Sequence, residues 1–205
     1  MSRPWIFFDV GSTLVDESEA YDARNREMLA TSAVSPEAFA VRRREFARRG
    51  EDGNAAAIRY FGLERTKWPS HLEHPYPDAI PALETLRKLG YPLGIIANQS
   101  PGLEDRLERW GLRDYFTVVA SSAELGMEKP DPAIFHAALQ MAHCLPENAV
   151  MVGDRLFNDI VPAHDLGFNT AWVRRGLAVC HDPSAGAGLA DAIVDDLTQL
   201  VTLFS

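Results

Sequence analysis

From residue 78 onward the chain alternates short apolar runs with amphipathic stretches, and few architectures accept that order. Helices are expected at 78–89, 101–110, 132–142 and 158–166, with a closing helix at 197–204. Strands are expected at 91–97, 116–120, 149–152, 169–173 and 192–194. Ile80, Leu83 and Leu86 share one helical face, as do Ile134, Phe135, Ala138 and Leu139, and Gly90 and Gly111 stand where helices should stop. Strand–helix alternation of this kind implies a parallel sheet with helices on both faces. Right-handed crossovers then bring the carboxyl ends of the strands to one rim, where such folds place their ligands. The expected class is therefore α/β, a parallel sheet with helices on both faces. No internal repeat is visible, and the Ala- and Gly-rich stretch 182–188 reads as flexible.

The N-terminus contributes one more strand. Trp5-Ile6-Phe7-Phe8 is apolar throughout, suits burial on both faces, and ends abruptly in Asp9 followed by turn-prone residues. Such a strand delivers Asp9 to the rim. Asp9 reads either as a functional carboxylate or as an Asp that merely starts a turn or caps a helix. Between these two parts, residues 16–77 read as an inserted helical block with no evident strand. Ser35-Pro36-Glu37 is a helix start, with Ser as cap and Pro in the first turn. The cluster Arg42, Arg43, Arg44, Arg48 and Arg49 is either a solvated face or a contact for an anionic substrate. Residues 16–77 thus stand apart from the strand-bearing residues 1–15 and 78–205.

A chain of 205 residues with 46% hydrophobic and 24% charged residues can bury a full core. A net charge of −9 argues against nucleic acid or an anionic membrane as partner. No apolar run reaches the roughly 18 residues of a membrane span. Met1-Ser2-Arg3-Pro4 leads straight into the first strand and leaves no room for a signal peptide. Cys144 and Cys180 lack metal-ligand spacing and read as free thiols in a reducing compartment. The expected location is the cytoplasm.

Three further segments join Asp9 on the rim. Ile95-Ile96-Ala97-Asn98 ends a strand, and Asn98 with its neighbouring N–H groups offers an anion site at a helix N-terminus, or a plain turn. Lys129, before Pro130-Asp131-Pro132, can neutralise an anion or lie solvated. Gly153-Asp154 follows an apolar strand and repeats the strand-then-carboxylate plan, with Asp159 five residues on. Carboxylates at two neighbouring strand ends make a hard-cation site suited to Mg²⁺.

The motifs Asp9-Val10-Gly11-Ser12-Thr13-Leu14, Ala97-Asn98, Lys129-Pro130 and Gly153-Asp154 through Asp159, in this order, resemble the four motifs of the haloacid dehalogenase-like (HAD) hydrolase superfamily. The resemblance covers nearly the whole chain and points to the phosphatase-like branch with a helical cap; it implies a Rossmann-like core of residues 1–15 and 78–205 and a cap of residues 16–77. It implies an Asp9 nucleophile that becomes an aspartyl-phosphate, with Lys129 steadying nucleophile and phosphoryl group. It assigns Mg²⁺ to Asp9, the Gly11 carbonyl and Asp154, supported by Asp159. It places the phosphate against Ser12, Thr13, Ala97, Asn98 and Lys129. The implied partner is a small phosphorylated substrate; the oligomeric state is not visible.

Two residues depart from the family pattern. Phosphatases of this family usually carry a second Asp two residues after the nucleophile, which protonates the leaving group and then activates water. Here that position is Gly11. The second motif usually supplies a Ser or Thr hydroxyl, and here it is Ala97. The departures leave a slow phosphatase, a substrate with a good leaving group, or a substitute acid from the cap. Two other readings stay open. One is C–P or C–halogen cleavage by the same nucleophile, with Lys67 the only lysine of the cap. The other is a binding protein for a phosphorylated ligand or protein partner, without turnover.

Overall fold

The computed structural model describes residues 3–205; Met1 and Ser2, the start of the expected lead-in, lie outside the described residues. A six-stranded, all-parallel sheet forms the centre. Its strands are β1 (Trp5–Phe8), β4 (Leu93–Ala97), β5 (Val118–Ser121), β6 (Ala149–Gly153), β7 (Asn169–Val173) and β8 (Ala192–Val194), in the order β5-β4-β1-β6-β7-β8. The chain therefore leaves β1 in one direction for β4 and β5, then crosses over to β6 on the other side. Phe8 pairs with Ile95 of β4 and Val152 of β6, which sets the ends of three strands side by side. The α/β expectation holds.

Helices cover both faces because the central strands are apolar on both. Ile6 and Phe8 face a cluster with Leu83 and Leu86 of α4 (Ala79–Lys88) and Leu197 and Leu200 of α9 (Leu197–Thr202). Phe7 faces the other way, against Ile134, Phe135 and Ala138 of α7 (Pro132–Ala142). Full burial of such side chains contributes about 1.5–3 kcal/mol each, so the two faces together hold the sheet in place.

Between β1 and α4 lie three helices, α1 (Ser18–Ala30), α2 (Pro36–Arg48) and α3 (Gly53–Tyr60). Ser35 caps α2 through the Ala38 N–H, and Asp52 caps α3 through the Ala55 N–H. Met28, Leu29, Phe39, Ala57 and Ile58 form a small core of their own. This segment is not purely helical. β2 (Val15–Asp16) and β3 (His74–Pro75) pair antiparallel at its two ends. Two-residue strands carry no readable alternation, and Pro75 and Pro77 masked the second.

Other boundaries moved for local reasons. The helix expected at 101–110 is α5 (Leu103–Arg109), because Pro101-Gly102 forms a turn whose Gly102 N–H bonds Glu124. The helix expected at 158–166 is instead a π-helical turn, Leu156–Ile160, followed by α8 (Val161–Asp165). The stretch 182–188 contains a 3₁₀ turn, Pro183–Gly186.

Candidate active site

Asp9 follows β1 directly, and its N–H still bonds to Val152 O at 2.8 Å, continuing the sheet. The apolar run ends here because the next residues reverse. Leu14 and Val15 both donate to Val10 O, and Ser12 adopts a positive φ of 56°. Asp154 follows β6, and its carbonyl accepts from the Trp172 indole at 2.8 Å, which pins the loop to β7. Asp159 lies in the π turn. Its approach needs Gly153, since a Cβ there would run into the Asp159 carboxyl. Carboxylate oxygens of Asp9, Asp154 and Asp159 all lie within 4.8 Å of one another, buried.

Lys129 enters this cluster from the loop before α7 and is 3% exposed. Its Nζ donates to Asp9 Oδ1 at 2.7 Å, Asp159 Oδ1 at 2.5 Å and Ile96 O at 2.9 Å. Burial disfavours the ammonium, but Asp159 and Asp9 outweigh it and hold the Lys129 pKa above its ordinary value. Asp159 has no spare oxygen, because its Oδ2 accepts from the Arg155 N–H at 2.9 Å. Asp154 is the opposite case. Its Oδ1 is buried with no partner, and burial with the Asp159, Asp9 and Glu17 charges pushes its pKa well up. An unpartnered oxygen beside two further carboxylates fits a hard divalent cation, and the all-oxygen donor set suits Mg²⁺.

The expected phosphate-side residues divide. Ser12, Thr13 and Ala97 are buried near the same strand ends. Asn98 does not sit at a helix N-terminus. Its amide holds the Lys129 backbone, donating to Lys129 O at 2.8 Å and accepting from Lys129 N at 2.7 Å. The Gln99 N–H goes to Ser122 Oγ, and Arg106 stitches Gln99, Ser100 and Pro101 together. Asn98 is therefore the strut that positions Lys129. Of the two readings the sequence offers for Asn98, an anion site or a plain turn, neither includes this bond to Lys129, 31 residues away.

Two residues escaped attention in the sequence. Arg155 reaches from the core to the helical segment, donating to Asp52 Oδ2 at 3.1 Å and to the Tyr21 hydroxyl at 3.2 Å. Glu17 is 8% exposed and lies against Gly11. Burial raises its pKa to about 7; Arg155 opposes the rise, while Asp9, Glu73 and Asp52 add to it. Neither belongs to a recognisable pattern. Their one signal was placement, Arg155 directly after Asp154 and Glu17 at the start of the helical segment.

Two cavities open at this end of the sheet, and one of them includes Asp154 of the cluster. One, of about 380 Å³, is lined by Glu17, Tyr21, Arg24, Trp68, Asn98 and Arg155 among others. The other, of about 670 Å³, includes Ser12, Asp154, Arg155, Arg43, Arg49 and Phe157. Arg155 borders both. Two of the clustered arginines thus face a cavity, while Arg42 pairs with Glu45 on the surface. Lys67 is exposed and lines neither cavity.

Residues 6–173 match the sequence pattern of the haloacid dehalogenase-like hydrolases. The chain belongs to this family. Among curated relatives, it is 38% identical over 128 residues to a glyceraldehyde 3-phosphate phosphatase of Methanopyrus kandleri, covering 62% of this chain and 55% of that protein. A phosphoserine phosphatase of Thermus thermophilus is 36% identical over 141 residues, covering 68% of this chain and 53% of that protein. The chain thus spans about half the length of the curated relatives it matches. The crystal structure of a HAD phosphatase from Thermococcus onnurineus is similar with a TM-score of 0.67 and 28% identity, covering 100% of this chain and 98% of that one.

Proposed function

We propose that this haloacid dehalogenase-like protein is a Mg²⁺-dependent phosphatase of a small phosphorylated metabolite. The observation that carries the reading is the meeting of Asp9, Lys129, Asp154 and Asp159 at the ends of β1 and β6. Phosphoryl transfer needs positioning and charge neutralisation more than covalent ingenuity. An Asp9 oxygen attacks phosphorus, the ester P–O bond breaks, and an aspartyl-phosphate forms; water then releases phosphate and restores Asp9. Lys129 orients the Asp9 carboxylate and offsets charge on the phosphoryl oxygens, and Asp159 with Asn98 holds Lys129 in place. Asp9 and Asp154, with the Gly11 carbonyl and Asp159 in support, would hold Mg²⁺. Bound there, the cation would supply charge stabilisation for the transferring phosphoryl group.

Residues 16–77 act in this reading as the cap that closes over the rim and selects the substrate. The names of the curated relatives favour short phosphate esters of three carbons, and the cavity of about 670 Å³ that takes in Ser12 and Asp154 has room for one. Cleavage of a C–P bond through a Schiff base finds no support, since Lys67 is exposed and lines neither cavity. Two free cysteines agree with a reducing, cytoplasmic setting.

The test is phosphate release from glyceraldehyde 3-phosphate, phosphoserine and p-nitrophenyl phosphate, with Mg²⁺ and with EDTA, by wild type and Asp9→Asn. Turnover that needs both Mg²⁺ and Asp9 is expected. Phosphate binding without turnover on any ester would favour a non-catalytic binding protein instead.

A further inference from the structure

An alkyl phosphate cannot leave as an alkoxide at useful rates without a proton donor, and general acid–base help of this kind contributes about 10²–10⁴-fold. The carboxylates already described are committed. Asp9 is the nucleophile, Asp159 uses both oxygens on Lys129 and Arg155, and Asp154 faces the proposed cation. One further carboxyl lies against the turn that follows Asp9.

That carboxyl is Glu17. It stands at the N-cap position of α1, where a side chain normally bonds the first turn, yet it makes no cap bond. It turns instead toward the turn after Asp9. A Cβ built on Gly11 would lie 2.5 Å from Glu17 Oε1 and 2.7 Å from both Cδ and Oε2. The Glu17 carboxyl therefore fills the space that a side chain at position 11 would need. Its nearest hydrogen-bonding partner is Ser12 Oγ, at a long 3.5 Å. It is buried yet borders the 380 Å³ cavity that also contains Asn98 and Ser100 at the end of β4. Of the other two carboxylates of that cavity, Asp52 accepts from Arg155 at 3.1 Å and from the Ala55 N–H at 2.9 Å, and Glu73 accepts from the Trp68 indole at 2.8 Å through one oxygen.

We propose that Glu17 performs the proton transfers of the phosphatase cycle, reaching from the helical segment into the volume left by Gly11. The proposal rests on the phosphatase reading. In the first half-reaction Asp9 attacks phosphorus, the ester P–O bond breaks, and the Glu17 proton goes to the departing oxygen to give the alcohol. In the second, the Glu17 carboxylate takes a proton from water as that water attacks the aspartyl-phosphate. The acyl P–O bond breaks, Asp9 recovers its carboxylate, inorganic phosphate leaves, and Glu17 is again protonated. Glycine at position 11 is then a requirement of the arrangement, since any side chain there would displace the Glu17 carboxyl.

The test uses Glu17→Gln, which keeps shape and removes the proton, compared with wild type on p-nitrophenyl phosphate and on whichever alkyl phosphate wild type hydrolyses best. Turnover of the alkyl ester should fall about 10²–10⁴-fold. The aryl ester has a leaving group that needs no proton, so its first half-reaction should persist. It should appear as a burst of one nitrophenolate per protein, followed by a slow steady state while water attack waits for a base. Equal loss on both esters without a burst, or unchanged alkyl turnover, would overturn the role of Glu17 while leaving the phosphatase reading intact. Wild type inert on every ester would overturn both. The double variant Gly11→Asp with Glu17→Ala guards against misfolding. Alkyl-ester turnover above that of Glu17→Ala alone supports a proton-transferring carboxyl in this space, and turnover no better than Glu17→Ala overturns it.

Discussion

Replacing Asp154 by Asn should have opposite effects on stability with and without Mg²⁺. In the metal-free protein the Asp154 carboxylate has a buried, unpartnered oxygen and lies within 4.8 Å of the Asp9 and Asp159 carboxylates. At an effective dielectric constant of about 20, each such like-charge pair costs on the order of 3 kcal/mol. Attraction to the neighbouring Arg155, and the upward shift of the Asp154 pKa itself, cancel much of this. Asn should therefore stabilise the metal-free protein by roughly 1–2 kcal/mol, or about 2–8 °C in Tm for a chain of this size. With Mg²⁺ the sign reverses. Wild type at 100 times its Kd should gain about 2.7 kcal/mol, a rise of about 5–11 °C, and the Asn variant should show little of it. Differential scanning fluorimetry in EDTA and across a Mg²⁺ titration measures both limbs. A variant that melts lower than wild type in EDTA, or that keeps the full Mg²⁺ shift, would refute the placement of the cation at Asp154.

Lys129→Met should abolish turnover and destabilise the fold by about 3–5 kcal/mol, because Asp9 and Asp159 lose their shared buried cation; urea unfolding together with the ester assay checks both. Gly153→Ala should push Asp159 from Lys129, lowering activity with a stability cost of about 1–3 kcal/mol. Both should be partly relieved in Gly153→Ala with Asp159→Asn if the clash were with the carboxylate charge, and not relieved if it is steric, as the geometry requires. His181 packs on Trp172 with its Nδ1 buried and unpartnered, and burial and Arg174 lower its pKa. Its contribution to stability is present above the unfolded value of about 6.5 and fades as pH falls below it. His181→Gln should therefore lose less Tm than wild type between pH 7.5 and pH 5.5.

The sheet was legible because its strands are near-continuous apolar runs, and a strand buried on both faces writes itself plainly into local composition. Asp9 and Asp154 were legible for the same reason, since each marks the abrupt end of such a run. The β2–β3 pair was not, because two residues per strand carry no period and the pairing joins positions about sixty residues apart. The bond from Asn98 to the Lys129 backbone was not legible, because the two lie 31 residues apart.

Periodicity and residue type are local properties, so they set which segments become strands, which helices cover them, and which carboxylates arrive at the rim. The division of labour among those carboxylates depends on distances across loops, and only tertiary packing supplies these. Lys129 became a buried cation by reaching Asp9 and Asp159 together. Glu17 came to occupy the space beside Gly11 because the turn at Val10–Val15 folds the start of α1 back against the residues that follow Asp9. Read along the chain, Gly11 is a residue without a side chain; in the folded protein its place is filled from six positions away.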